Sequence, residues 1–202
     1  IHEPGGHRNL DVSSDDAIPG LRRVGEAVQK HCCAIFGQLG HSGAYGVTTG
    51  DGSLGVSYAP SQAKSSRSHN ISRELPLSLI HEYVAAYGSA GGRMKKAGLD
   101  GVEILASHAL LPAQFLNPAM NWRTDAYGGS LENRMRFLRE IIASVRDNIG
   151  PNTVLGLRIS ADELQEEGNS PDELLEVCRL VGNEGALDYL IVIAGSMIGL
   201  KG

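Results

Sequence analysis

Hydrophobic residues along the chain follow two spacings, one typical of amphipathic helices and one typical of buried strands. Apolar side chains recur three and four positions apart over residues 15–31 and in segments that begin near positions 76, 130 and 170, which predicts four helices. Short apolar runs predict four strands, over residues 33–38, 100–105, 153–159 and 188–193. This alternation predicts an α/β fold whose parallel sheet is either doubly wound or closed as a barrel.

Local signals mark where these helices begin and end. Polar residues stand at three predicted amino-terminal caps and a glycine at one carboxy-terminal cap: Ser13 or Ser14, Ser130, Ser170 with Glu173 in a capping box, and Gly98. In the first helix, Leu21, Val24 and Val28 share one face, which we expect to be buried. Residues 40–72 are rich in Gly, Ser and Thr and lack apolar periodicity, which predicts a long functional loop.

The composition excludes several classes of protein. With 42% hydrophobic residues, 20% charged residues and a net charge of -5, the chain is typical of a globular protein without a nucleic-acid or anionic-membrane partner. No apolar run reaches the length of a membrane span and no signal-peptide pattern is present, so we expect a cytoplasmic location. Cys32, Cys33 and Cys178 suit neither a disulfide framework nor a metal site, and we expect reduced, mostly buried thiols.

Polar residues stand near the predicted carboxyl ends of the strands. Gln38 lies in the first predicted strand and Arg158 in the third. Residues 105–108, which end in His108, close the second strand, and the turn 194–196 follows the fourth. In parallel α/β folds these ends meet at the ligand-binding edge, where an amide, an imidazole and a guanidinium would suit a polar ring that carries carbonyl groups. Each residue also has a structural interpretation: Gln38 could satisfy loop backbone groups, Arg158 could brace a carboxylate, and His108 could be structural.

The segment 101–139 carries two dense motifs. The first is QFLNP, from Gln114 to Pro118, and the second is N-x-R-T-D-x-Y-G-G-S-L-E-N-R, from Asn121 to Arg134. Together they resemble the flavin-dependent oxidoreductases of the Old Yellow Enzyme superfamily. The variant HALLPAQFLNP is most similar to the branch that contains trimethylamine dehydrogenase, N-methyl amine demethylases and bacterial 2,4-dienoyl-CoA reductase.

The resemblance implies a (β/α)8 TIM barrel. Four predicted strands are half of such a barrel, so the chain would represent a central portion with about four βα units. We therefore expect residues 1–202 to form a single FMN-binding barrel domain that is incomplete at both ends. The final two strands, where such barrels commonly bind a phosphate, would lie outside it.

The resemblance also implies roles for particular residues. Gln38 matches the glutamine that binds the pyrimidine edge of FMN, and Arg158 matches the arginine beside flavin N1 and O2. His108 matches the second member of the substrate-binding pair, a catalytic position. Two residues depart from the pattern: Leu105 stands where the family usually has His or Tyr, and Leu110 stands where ene-reductases usually have the tyrosine proton donor.

These correspondences imply an FMN-dependent oxidoreductase that transfers hydride between flavin N5 and a small substrate. The chemistry would be either oxidation of an N-methyl amine or NAD(P)H-linked reduction of an activated alkene, and the apolar Leu105 and Leu110 favour the amine. Relatives in this branch hold an iron–sulfur cluster, but this chain lacks the cysteine cluster that would assign one. The alternative is a non-catalytic segment that needs further strands or a partner chain to bind flavin.

Other polar residues carry open interpretations. His41 could line the same site or cap its loop, and Asp125 with Arg123 or Arg134 is expected to brace the loop rather than take part in catalysis. A homo-oligomer and an electron-transfer partner are both compatible with the resemblance. The histidines have no metal-ligand spacing, so no metal site is predicted.

Overall fold

Helices and strands alternate in the structure as the sequence predicts. The computed structural model describes residues 10–46, 55–64, 71–163 and 168–195. The elements in that part of the chain are α1 (Ile18–Gln29), β1 (Phe36–Leu39), β2 (Tyr58–Ala59), β3 (Arg73–Glu74), α2 (Leu77–Lys96), β4 (Gly101–Ala106), α3 (Leu111–Leu116), α4 (Leu131–Ile149), β5 (Val154–Asp162), α5 (Pro171–Asn183) and β6 (Tyr189–Ala194), with short 3-10 helices at Asp15–Ala17 and Gly43–Tyr45.

The main sheet has the winding of a barrel. Its four strands are all parallel and lie in the order β1-β4-β5-β6, which follows the order of the chain. A doubly wound sheet reverses its strand order at a switch point, and no reversal occurs among these strands. Alternate residues such as Ile104 and Leu157 are buried in one core with residues of α2 and α4, such as Ile80 and Ile141. The chain therefore forms part of a (β/α)8 barrel, with its helices on the outside.

Most predicted caps are confirmed. The hydroxyl of Ser130 accepts a hydrogen bond from the backbone N–H of Asn133, and Ser170 forms a reciprocal capping box with Glu173. Gly98 has a φ of 87°, the left-handed conformation expected after α2. The apolar positions of α4 form one buried stripe, whose members are Phe137, Leu138, Ile141, Ile142, Val145 and Ile149.

The first helix differs from the prediction. Val24 is 51% exposed, because Gly25 occupies the buried position and brings α1 close to Leu99. The serine cap was also wrong: Ser14 precedes the short 3-10 helix, but its hydroxyl donates to the carboxylate of Asp16 and accepts no backbone N–H.

The strand boundaries and the loop also needed correction. β5 continues past its predicted end to Asp162, since Ser160 and Asp162 still pair with β6 across an irregularity in register. Within residues 40–72, the described parts contain β2, which pairs with β3 in a small parallel sheet. The prediction missed α3, whose six residues are all buried and show no polar face to reveal a helical period.

The cysteines are less buried than expected. Cys32 and Cys33 are exposed and Cys178 is half-buried, and all three are free thiols. Within the ranges that the structure describes, no helix is both long and apolar enough to cross a membrane. The same ranges contain no group of three His, Cys, Asp or Glu side chains that could hold a metal ion.

Candidate active site

One row of paired residues crosses the sheet on the face opposite the helices. Gln38 of β1 lies opposite Glu103 of β4, Glu103 lies opposite Gly156 of β5, and Gly156 lies opposite Tyr189 of β6. A methyl group at Gly156 would overlap the Tyr189 ring, so only glycine lets the ring lie across β5. Tyr189 of β6 can therefore reach Glu103 of β4. The ring of Phe36 stacks against the Tyr189 ring at a centroid distance of 6.0 Å.

Glu103 is the centre of a hydrogen-bonded cluster. Its Oε1 accepts from Nε2 of Gln38 at 2.5 Å and from Nε of Arg158 at 3.0 Å, and its Oε2 accepts from the hydroxyl of Tyr189 at 2.9 Å. The carboxylate is buried, with 8% of its side chain exposed. A single buried anion therefore connects β1, β5 and β6 to β4.

The cluster sets the charge states of its members. Burial alone would raise the pKa of Glu103, but hydrogen bonds from Gln38, Arg158 and Tyr189, together with the Arg158 charge, hold that pKa below its ordinary value. Burial and the bond to Glu103 raise the pKa of Tyr189 to about 12. At neutral pH the cluster therefore contains one carboxylate, one guanidinium and one neutral phenol.

Arg158 lies within β5 rather than at its end. It pairs with Leu105 of β4 and Ile191 of β6, two residues farther along the strands than the row that contains Glu103. Its side chain extends toward that row and donates to the Glu103 carboxylate. It does brace a carboxylate, as the structural interpretation expected. The bond to Glu103 uses Nε, and 32% of the Arg158 side chain is exposed.

Leu105 and Leu110 form an apolar corner beside this cluster. A methyl group placed at Gly40, directly after β1, would lie 3.5 Å from Cδ2 of Leu105 and 3.5 Å from Cδ1 of Leu110. Both leucines are half-buried, and Leu105 is the register partner of Arg158. The two departures from the family pattern therefore meet at one place, next to the guanidinium.

His108 lies in the turn that follows β4. Its Nδ1 is 2.9 Å from the hydroxyl of Ser107, a fully buried residue, and the imidazole itself is half-buried. His108 and Ala109 have φ values of 56° and 55°, a left-handed conformation that is uncommon for residues other than glycine. Ser107 therefore contacts the ring through one nitrogen, Nδ1.

Gln114 joins the loops that follow β1 and β4. Its Nε2 donates to the carbonyl oxygens of Ala109 and Ser42, at 2.7 and 3.0 Å, and its Oε1 accepts from the N–H of Ala44 at 3.1 Å. The amide is fully buried, and all of its bonds are internal. The motif glutamine therefore fixes the two loops relative to each other and does not face a ligand.

His41 caps its own loop. Its Nδ1 accepts a hydrogen bond from the N–H of Gly43 at 3.0 Å, and its ring lies against Tyr83 at a centroid distance of 4.7 Å. Of the two interpretations of this histidine, the geometry favours the cap.

The second motif is largely structural. Asn121 donates to the carbonyl oxygens of Phe115 and Tyr127, both at 2.7 Å. Arg123, 3% exposed in its side chain, binds Asp125 and donates to the carbonyl oxygens of Pro60 and Leu75. The pKa of Asp125 is lowered, chiefly by its hydrogen bond with Arg123. Arg123 and Asp125 therefore brace the loop, as predicted.

The remaining motif residues continue this framework. Tyr127 is buried, and its hydroxyl donates to Glu140 at 2.9 Å; burial and this carboxylate raise its pKa to about 12. Arg134 of α4 donates to the carbonyl oxygen of Leu116 and binds Glu173 of α5. Trp122, in contrast, is 62% exposed.

A second buried carboxylate lies just after β5. Glu163 accepts from Nδ2 of Asn117 at 2.9 Å and from the backbone N–H of Asn169 at 3.0 Å, and burial raises its pKa. Its partners in the described part of the chain are amides rather than cations. The asparagine of QFLNP therefore joins the loop after α3 to the loop after β5.

Sequence reasoning missed two residues of the site and gave Ser107, within the predicted range 105–108, no role of its own. Glu103 stands in the apolar run GVEIL, and Tyr189 opens β6. For Glu103 a signal was available, because an acid inside a predicted buried strand must have partners. No comparable signal marked Tyr189, since its contact depends on the space above Gly156.

Comparison with known proteins is consistent with this geometry. The model of the NADH:flavin oxidoreductase / NADH oxidase family matches residues 3–192. The chain is 37% identical over 174 residues to a metal reductase of Desulforamulus reducens, across 86% of this chain and 26% of that protein. It is 31% identical over 197 residues to a multifunctional alkene reductase/demethylase of Caballeronia cordobensis, across 98% of this chain and 28% of that protein.

A solved structure shows the same fold. Histamine dehydrogenase from Rhizobium sp. 4-9 superposes with a TM-score of 0.81 at 32% identity, across 91% of this chain and 27% of that one. The chain thus spans about a quarter of the length of these three relatives. Members of the matched family use FMN, with NADH or NADPH as electron donor. The chain belongs to the NADH:flavin oxidoreductase / NADH oxidase family.

Proposed function

We propose that this chain carries the FMN-facing surface of an oxidoreductase that oxidises a small N-methylated amine. Gln38 and Arg158 would hold the flavin, and His108 would act at the substrate. When bound, FMN supplies the two-electron chemistry, and the protein supplies orientation and electrostatics. Residues 1–202 would form one FMN-binding barrel domain, completed by strands beyond those described.

The residues present fit an isoalloxazine ring. The pyrimidine edge of that ring alternates carbonyl oxygens with an N–H group, and an amide offers both a donor and an acceptor to such an edge. Gln38 is exposed on the site face, and the side chain of Arg158 on the same face is 32% exposed. Because Glu103 binds both side chains, the amide and the cation lie within reach of one ligand.

The observation that favours an amine is the apolar corner formed by Leu105, Leu110 and Gly40. Oxidation of an N-methyl group removes a hydride from carbon and needs no proton delivered to carbon. Reduction of an alkene needs such a proton, as well as a donor that polarises the activating group. Neither leucine can donate a proton, so this corner suits the first reaction better.

Alkene reduction with NAD(P)H is the second candidate. The observation that favours it is His108, whose Ser107 contact leaves a ring nitrogen to donate to a substrate carbonyl. The relative from Caballeronia cordobensis is named for both activities. A third interpretation is that the segment is non-catalytic and needs further strands or a partner chain to bind flavin.

The partners and location are also proposals. A small-molecule substrate follows from the family, whereas a homo-oligomer or an electron-transfer partner is suggested only by the resemblance of the motifs. The three free thiols suit a reducing, cytoplasmic location.

The test compares both reactions in the complete natural protein after reconstitution with FMN. Under anaerobic conditions, a panel of N-methylated amines is assayed for loss of the oxidised-flavin absorbance and for product. A panel of α,β-unsaturated ketones is added to the NADPH-reduced protein and assayed for return of that absorbance and for the saturated ketone. We expect amines to bleach the flavin and to release formaldehyde. Turnover of the ketones, with no amine reacting, would replace the first candidate with the second.

A further inference from the structure

We propose that Glu103 is a positioning residue of the flavin site, which aligns Gln38 with Arg158 and lowers the preference of the site for reduced over oxidised FMN. This inference rests on the proposed function, since it assigns a role at the same site. The proposed function places Gln38 and Arg158 at the flavin and assigns no role to Glu103, the acid between them.

The alignment follows from the sharing of one oxygen. Gln38 and Arg158 stand on β1 and β5, which are separated by β4, and both donate to Oε1 of Glu103. Each side chain alone could take several rotamers, because Gln38 is exposed and Arg158 is half-buried. A shared acceptor between them selects the rotamers that bring the amide and the guanidinium together.

Glu103 itself is held in place by its surroundings. Tyr189 donates to its second oxygen at 2.9 Å, and Gly156 provides the space that the tyrosine ring needs. The side chain is buried in a strand that is paired on both sides, so the carboxylate cannot relocate without breaking these bonds. Its three donors are the groups that a buried carboxylate needs to stay ionised.

The charge effect follows from proximity. The carboxylate of Glu103 lies 3.0 Å from Nε of Arg158, so the guanidinium acts on a neighbouring ligand as one half of an ion pair. Reduced FMN carries additional negative charge at the edge that a guanidinium would meet, and a free cation would favour it more strongly than a paired one. Glu103 therefore weakens the preference for reduced over oxidised FMN that Arg158 creates.

Two substitutions separate charge from alignment. Glu103→Gln preserves the shape and all three hydrogen bonds, because the amide oxygen can accept from Gln38 and Arg158 while its NH2 donates to the oxygen of Tyr189. It removes only the charge. Glu103→Asp keeps the charge but withdraws the carboxylate by one methylene, so it shortens the reach to both donors. Glu140→Gln is the matched control, because Glu140, on α4, also accepts a tyrosine hydroxyl, that of Tyr127.

The experiment measures the dissociation constants of oxidised and of reduced FMN, by fluorescence and by anaerobic titration, for the complete protein and each variant. For Glu103→Gln we expect the ratio of reduced to oxidised affinity to rise about tenfold, as expected for loss of one nearby charge. For Glu103→Asp we expect both affinities to fall by a similar factor and the ratio to stay within twofold of the wild type. Glu140→Gln should change neither quantity.

The outcomes distinguish this inference from the proposed function. An unchanged ratio in Glu103→Gln, with normal binding by the wild type, overturns the charge effect of Glu103, and wild-type affinity in Glu103→Asp overturns the alignment; either result leaves the flavin site intact. If Glu103→Gln does not fold, Glu103→Asp decides: wild-type affinity in that folded variant overturns the alignment. Failure of the wild type to bind either form of FMN overturns the proposed function and this inference together.

Discussion

The guanidinium of Arg123 forms a bidentate ion pair with the carboxylate of Asp125, with Nη2 2.6 Å from Oδ2 and Nε 3.0 Å from Oδ1. The same guanidinium donates to the carbonyl oxygens of Pro60 and Leu75, which flank the small sheet of β2 and β3. The motif that most clearly identifies the family therefore supports loops that surround the site. The side chains that we propose to face the ligand lie elsewhere, on β1, β4 and β5.

Replacing Arg123 should cost much stability. Arg123→Met leaves Asp125 without its cation and two buried carbonyl oxygens without a donor, so we expect the free energy of unfolding to fall by about 3 kcal/mol. Urea denaturation measures the change. Arg179→Met is the control, since Arg179 pairs with Glu176 on the exposed surface of α5 and should leave stability unchanged. Equal effects of the two substitutions would contradict the bracing role.

Gly43 is required by the contact between the two loops. Its φ of 59° is left-handed, and a methyl group at this position would overlap the amide of Gln114. We expect Gly43→Ala to destabilise the protein by about 2 kcal/mol, from strain and from the displaced amide. Gly20→Ala in α1 has no atom within 4 Å of the added methyl group and should stabilise the protein slightly. Thermal unfolding of both variants decides, and equal melting temperatures would contradict the assignment.

Tyr127 should make stability depend on pH in the alkaline range. Because its folded pKa is raised to about 12 from an ordinary value of 10.0, its contribution is complete below pH 10 and is lost as the pH rises toward 12. Between pH 9 and pH 11 the wild type should lose about 1 kcal/mol more than Tyr127→Phe, which has no phenol to ionise. Urea unfolding across this range measures the difference, and parallel curves for the two proteins would contradict it.

Leu110 should control the choice between the two reactions. Leu110→Tyr places a hydroxyl in the apolar corner, so we expect kcat/KM for an α,β-unsaturated ketone to rise at least about tenfold, the low end for a positioned proton donor. Amine oxidation should not gain. Leu175→Tyr, on the exposed face of α5, is the control and should change neither rate. A tyrosine at position 110 that left ketone reduction unchanged would show that this corner does not contact the reacting carbon.

Local chemistry made much of the fold predictable. Ser130 and Ser170 cap helices through contacts with residues three positions away, and Gly98 ends α2 through its own φ, so a short window of sequence contains the cause. The predicted burial of Val24 was wrong because the burial of a helix face depends on what packs against it. In α1 it is Gly25 that packs against Leu99. The helix α3 was missed because its burial on all sides leaves no period to detect.

The position of the site could be predicted from the sequence, but the hydrogen bonds between its residues could not. Gln38 and Arg158 could be assigned to the same edge of the sheet, because parallel strands place their carboxyl ends together. The hydrogen bonds that both residues make to Glu103 could not be predicted. They depend on the register of three strands and on the path of Tyr189 over Gly156. Such contacts arise from residues more than fifty positions apart, which no local pattern records.

Direct titration with FMN tests whether Gln38 and Arg158 hold the cofactor. Free FMN is added to the complete protein, to Arg158→Met and to Gln38→Leu, and the quenching of flavin fluorescence is followed to saturation. We expect one FMN per chain for the wild type and at least about tenfold weaker binding in each variant, the loss expected for one or two charge-assisted or neutral hydrogen bonds. Wild-type affinity in both variants, or no binding by the wild type, would contradict it.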